Sequence, residues 1–227
     1  MKLKKITEEA IKSIDKQHNT IVIESNPSAV YRNSTTIYPD MPFNYNKYLN
    51  IGARTGDQEF IFFGNNDLIF EKNWDEEIGE KMNEHNLVSA SPLCPDTHLK
   101  FGIEKNSGVL QGYEVYKFFC GWAFVMRRSF YENIGGLNEM FNFWCSDNAI
   151  VNQLKKENAK HALVTSSIVH HLNQGGNTLE SLSLSKIKSY TVNELKKYNH
   201  LFNANLIIDY TWDMPEILRK SLFPDYK

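Results

Sequence analysis

The chain has 227 residues, 41% of them hydrophobic and 13% aromatic, which is enough to bury a substantial core and excludes a disordered chain. Its 25 Lys and Arg stand against 27 Asp and Glu, a formal net charge of -2, so no overall basic field advertises a polyanionic partner such as DNA or an anionic membrane. The longest apolar runs, FIFF and YKFFCGWAFVM, fall far short of the roughly 20 residues that cross a bilayer, and no signal peptide follows MKLKK. A cytoplasmic protein without a membrane span is therefore expected. Cys94, Cys120 and Cys145 are odd in number and lack CxxC spacing, which points to buried small hydrophobes rather than a disulfide framework or a zinc ribbon.

In chain order, residues 7–17 place Ile11 and Ile14 on one face behind a Thr and two Glu, a capped amphipathic helix. NTIVIESN follows as a β-branched strand ending at Glu24. Residues 27–42 are polar and broken by Pro, a loop with at most a short strand at 35–38, and FNYNKYLNIGART is a short helix stopped near Gly52. EFIFF is an unbroken apolar strand, suited to burial on both faces. The next four residues, Gly64, Asn65, Asn66 and Asp67, suit either a hairpin turn or a strand-end ligand site, and LIF then leads into a helix whose Trp74, Ile78 and Met82 form one stripe.

LVSASPL is a further strand, residues 94–115 an excursion, KFFCGWAFVM a strand and RRSFYENIG a helix. DNAIVNQLKKENA is an amphipathic helix, and HALVTSSIVHHL a strand. This alternation predicts an α/β protein with a mostly parallel sheet flanked by helices over residues 1–172. Residues 173–227 read as a loop and helical extension packed on the same domain, with lysines at 186, 188, 196 and 197 as its one basic segment.

Ligands of open α/β sheets bind at the carboxyl ends of strands, where loops converge and helix N-termini point. Glu24, Asp67, Asp147 and the pair His170 and His171 all fall at such ends. A carboxylate after small residues at a strand end is what a divalent cation bridging two phosphates requires. Strand alternation turns only one of His170 and His171 toward such a site. Each has a plainer reading: a turn for Asp67, a helix cap for Asp147, solvent-facing strand ends for Glu24 and the histidines, and a core aromatic for Trp122.

The order YNKYLNIGARTGDQEFIFFGNNDLIFEKNWDEEI, then FFCGWAFVMRRSFYENIGGLNEMFNFWCSDNAIVNQLKKENAKHALVTSSIVHH, resembles family two nucleotide-sugar glycosyltransferases of the GT-A fold. The matching pieces are the DxD-like Asn65-Asn66-Asp67, the Gly121 to Glu139 segment with its Arg-Arg and Gly-Gly pairs, Ser146-Asp147 opening a helix, and a strand closing on His. They cover about residues 20–172.

The resemblance implies a metal-dependent, inverting transfer from a nucleotide sugar, a UDP-sugar foremost, to a hydroxyl on a glycan, a protein or a hydroxymethylated base in DNA. It implies Mn²⁺ or Mg²⁺ as cofactor; the compact size, the lack of a membrane segment and the low-Pro, Asn- and Lys-rich composition fit a viral, phage or bacterial enzyme. Asp67 would hold the metal and diphosphate together with His170 or His171. Glu24, Asn65, Asn66 and Trp122 would contact the nucleotide sugar, and Asp147 would be the base. Asn142, Trp144 and Tyr113 are weaker candidates.

Three departures stand out. The family's opening strand of the type VSIVIPTYN is absent, Asp67 is the one carboxylate of its motif, and Ser146 replaces an acid. They leave a second reading, a catalytically silent sugar- or nucleotide-binding module. A nucleotidyltransferase is a third, lacking its usual Gly-rich phosphate loop.

Overall fold

The structure, a computed structural model, describes residues 2–14, 18–172 and 183–206. Residues 15–17, the Asn- and Ser-rich stretch 173–182, and 207–227 lie outside the described residues, as do the parts of the extension expected there. Helix α1 (Lys2–Ser13) starts five residues before the expected Thr.

Two short strands, β1 (Ile21–Ile23) and β2 (Thr35–Ile37), pair in parallel as a sheet of their own. The main sheet has the order β3 (Phe60–Gly64), β7 (Ala123–Arg127), β5 (Ser89–Leu93), β8 (His161–His171) and β4 (Leu68–Phe70), with β6 (Val109–Gln111) also on β8. β5 and β8 are parallel, and β3 shares their direction because β7 runs opposite to both β3 and β5. β4, β6 and β7 run the other way, so the sheet is mixed.

Helices cover the faces: α2 (Tyr45–Ala53), α3 (Trp74–Glu84), the short α4 (Pro95–His98), α5 (Arg128–Asn133) and α6 (Ser146–Lys156). α2 spans the two sheets. Its Gly52 faces Ile21 and Ile23 of β1, while Leu49 and Ala53 join the core of Ile61, Phe63 and Phe124. Among the described residues no strand adds to the free edge of β1 or of β3. The extension forms α7 (Leu184–Lys188), a π turn at Ser189–Asn193 and α8 (Glu194–Phe202).

Two local expectations are corrected. KFFCGWAFVM is extended only from Ala123. Before it Phe118 and Phe119 bond back to the Glu114 carbonyl and Ala123 to that of Cys120, so the backbone turns instead of entering the ladder. LIF is a strand in its own right, β4, rather than a direct lead into the helix.

The fate of GNND follows from that pairing. β3 and β4 are not partners, so the turn is no hairpin: it carries the chain from one edge of the sheet to the other. Gly64 is required by space, since a Cβ there would lie 2.5 Å from Phe62 Cε1 and 2.9 Å from Leu68 Cδ1. Beyond the turn Phe62, Phe70 and Trp74 close into one aromatic cluster, with centroids 4.6 to 5.3 Å apart. Each such pair contributes about 0.5 to 1.5 kcal/mol beyond area burial, which fixes the turn against α3.

Candidate active site

The carboxyl end of β3 continues its ladder for one residue, the Asn65 N–H donating to the Trp122 carbonyl at 2.9 Å, and then releases Asp67 beneath the end of β8. Asp67 is only 2% exposed, and His171 Nε2 stands 3.3 Å from its Oδ1. The Trp122 ring lies flat on the His171 imidazole, centroids 4.9 Å apart and planes 7° from parallel, which locks the orientation of that histidine. His170 points to the other face, its Nε2 3.0 Å from Glu71 Oε1, and Glu71 also receives Lys105. Their pairing pulls the Glu71 carboxyl below its ordinary value, the Lys105 hydrogen bond first.

Across the site, Asp147 stands in the first turn of α6, where the helix N-terminus favours an acid. Its carboxyl group lies directly over Gly121: a Cβ added there would meet the carboxyl carbon at 2.1 Å. Position 121 thus has room for hydrogen alone. Burial pushes the Asp147 pKa up from 3.8 to about 7.

Tyr45, at the start of α2, bridges the two carboxylate sites. Its hydroxyl is 2.8 Å from Asn65 Oδ1 and 2.9 Å from the Gly121 carbonyl. Burial, and then the charges of Asp147 and Asp67, hold the phenol well above its ordinary range, so it remains a donor. Below this layer lie the free, buried Cys94 and Cys120, with His98 Nε2 3.4 Å from Cys120 Sγ; burial keeps His98 neutral by lowering its pKa.

Of the expected site residues, Asn65, Asp67, Trp122, Asp147 and His171 come together. Asn66 turns away: its side-chain amide donates to Thr7 Oγ1 of α1 at 3.0 Å. Glu24 is joined to that side of the turn, because it accepts from the Tyr31 hydroxyl, and Tyr31 in turn bonds Thr7. His170 is separated from Asp67 by strand alternation. Trp144 and Asn142 lie in the loop that delivers Asp147, and Tyr113 is remote, donating to the Ala159 carbonyl.

Sequence reasoning missed Tyr45 and the buried asparagines of α2. Asn44, Asn46 and Asn50 donate to the carbonyls of Glu139, Asn138 and Leu137 at 2.9, 2.7 and 2.8 Å. The regular NYNKYLN spacing, which begins at the N-cap Asn44 and runs into α2, was the available signal. Of the tail lysines, Lys197 donates to the Met140 carbonyl and Lys186 lies over the Tyr190 ring of its own segment.

Among the described residues no third His, Cys, Asp or Glu joins Asp67 and His171 as a possible metal-ligand group. The pair itself fits one octahedral cation, whose neighbouring ligands at about 2.1 Å stand about 3 Å apart. Such ions commonly complete their shell with phosphate and water.

No protein-family model and no curated protein matches the sequence. Solved structures do resemble the fold. S. aureus TarS, residues 1–349, aligns with a TM-score of 0.57 at 9% identity, covering 95% of this chain and 73% of that one. GalNAc-T7 with UDP, GalNAc and Mn²⁺ aligns at 0.56 and 14% identity, and a longer TarS structure at 0.54 and 12%. The chain spans 53% and 48% of those two proteins. Both neighbours are GT-A glycosyltransferases, and the chain has the GT-A fold. Among the described residues no helix is long and apolar enough to cross a membrane.

Proposed function

We propose that the protein is a glycosyltransferase that moves a sugar from a nucleotide sugar, a UDP-sugar foremost, to a hydroxyl acceptor on a glycan, a protein or a hydroxymethylated base, with inversion. The observation that carries this reading is the meeting, on one GT-A strand-end layer, of a buried Asp67 paired with His171 and a desolvated Asp147. A Mn²⁺ or Mg²⁺ ion held by Asp67 and His171 would neutralise charge on the diphosphate leaving group. Glu24 and the turn at 65–67 would border the nucleotide, and the Trp122 indole with the Tyr45 hydroxyl the transferred sugar.

Asp147 would act as general base. An ordinary carboxylate is a weak acceptor at neutral pH, and a pKa of about 7 makes this one a far better match for a hydroxyl proton. As the acceptor oxygen bonds to the anomeric carbon, its proton passes to Asp147. The bond from that carbon to the diphosphate oxygen breaks, and the electron pair leaves with the nucleoside diphosphate. Activity should rise with pH through about 7, because only the ionised base accepts the proton. The GalNAc-T7 structure, which contains UDP and Mn²⁺, supports the donor and metal class.

The test is slow donor hydrolysis across a panel of UDP- and GDP-sugars with Mn²⁺. Nucleoside diphosphate release is expected for one donor and not from Asp67→Ala. Release that persists unchanged in that variant sinks the cation site, and neither release nor binding of any nucleotide favours a silent module.

A further inference from the structure

The loop that leads from Glu139 into α6 is held by two separate segments of the chain. From α2, Asn44 Nδ2 and the Tyr45 N–H bond the carbonyls of Glu139 and Asn142, at 2.9 and 2.8 Å. From the C-terminal segment comes Glu194, the first residue of α8 and only 5% exposed. Its Oε1 accepts from the Asn142 N–H, and its Oε2 from those of Phe143 and Trp144 at 3.1 and 2.8 Å. Three successive backbone N–H groups thus converge on one carboxylate.

We propose that Glu194 is a positioning residue for Asp147: its carboxylate clamps the backbone of residues 142–144 and thereby fixes the entry of α6 that aims Asp147 over Gly121. This rests on the reading of Asp147 as the base. Among the described residues no Lys, Arg or His forms an ion pair with Glu194, so what offsets the cost of burying its charge is the loop itself. Loop conformation and buried charge therefore require each other. Only Cys145 and Ser146 stand between Trp144 and Asp147, and both are fully buried, which leaves little slack to absorb a shift.

Around the loop, Phe141, Cys145 and Ala149 pack on Tyr198, one helical turn beyond Glu194. The extension thus acts as the outer wall of the catalytic loop. The α2 bonds would remain in a Glu194 variant, so the loop should loosen without the fold being lost.

The experiment compares wild type with Glu194→Gln and Glu194→Asp. The amide turns an NH₂ toward the N–H cluster, and the shorter acid cannot span all three donors. The first readout is a carbon NMR titration of the Asp147 carboxyl, assigned with Asp147→Asn. The ionisable groups facing Asp147 are Tyr45 from α2, Cys120 ahead of β7 and Cys145 at its own helix entry; the Glu194 charge faces Cys145. Loosening the loop hydrates Asp147, so its midpoint should fall by at least one unit in both variants.

The second readout is donor hydrolysis, where kcat should fall at least tenfold while the donor Kd stays within about twofold. A midpoint unchanged in a folded variant, or an unchanged kcat, overturns the clamp; unfolding of both variants overturns it in favour of a purely structural tie. If wild type turns over no donor, the glycosyltransferase reading fails, and the carboxyl titration alone still decides the clamp.

Discussion

Replacing Asp147 by Asn should abolish activity and at the same time stabilise the fold, in a pH-dependent way. The folded carboxyl titrates near 7 against an ordinary value of 3.8, so the native state holds this proton more tightly than the unfolded chain. Native stability from this group is therefore complete below pH 3.8, is lost as pH rises toward 7, and is level above it. A shift of about 3 units at about 1.4 kcal/mol each amounts to at most about 4 kcal/mol. Asn keeps the shape over Gly121 and has no charge to desolvate, so the gain at pH 8 should be about 2 to 4 kcal/mol.

For a chain of this size that corresponds to roughly 5 to 10 °C in Tm. Urea unfolding followed by Trp fluorescence at pH 8 and near pH 4 measures both ends. The gain should be large at pH 8 and vanish near pH 4. A variant that is neutral or weakened at pH 8, or a gain that does not change with pH, would refute a desolvated carboxylate at this position.

Further outcomes follow from single contacts. Gly121→Ala should cost at least about 100-fold in kcat, because its Cβ occupies the place of the Asp147 carboxyl group; near-normal turnover would contradict the packing seen there. His171→Ala should weaken Mn²⁺-dependent nucleotide binding tenfold or more in calorimetry, whereas His170→Ala, which loses a surface contact to Glu71, should stay within about twofold. His161 is buried between Ser89 Oγ and the Phe118 carbonyl, and burial lowers its pKa from 6.5 to about 4. The wild type should therefore lose stability as pH falls from 6.5 toward 4, and acid titration of His161→Gln should show a shallower loss.

Much of the site was legible because its residues follow strands. EFIFF and HALVTSSIVHH are unmistakable strands, and their ends carry Asp67 and His171. Alternation along β8 correctly separates the two histidines. What the sequence hides is pairing: FIFF and LIF read as neighbours, yet they lie at opposite edges of the sheet, because hydrogen-bond partners are chosen by the whole fold. The burial of the α2 asparagines was not legible either: Asn46 and Asn50 are fully buried because they satisfy carbonyls nearly 90 or more residues away. Glu194 carried no signal of its own in the sequence, and only the folded loop shows what it holds.

The account turns on Asp67 and His171 forming a cation-dependent nucleotide-diphosphate site. Calorimetric titration of UDP and GDP into wild type and Asp67→Ala, each with Mn²⁺ and with EDTA, tests it most directly. One nucleotide should bind wild type only with Mn²⁺ and show no heat with Asp67→Ala; binding that survives EDTA and the substitution alike would contradict the account.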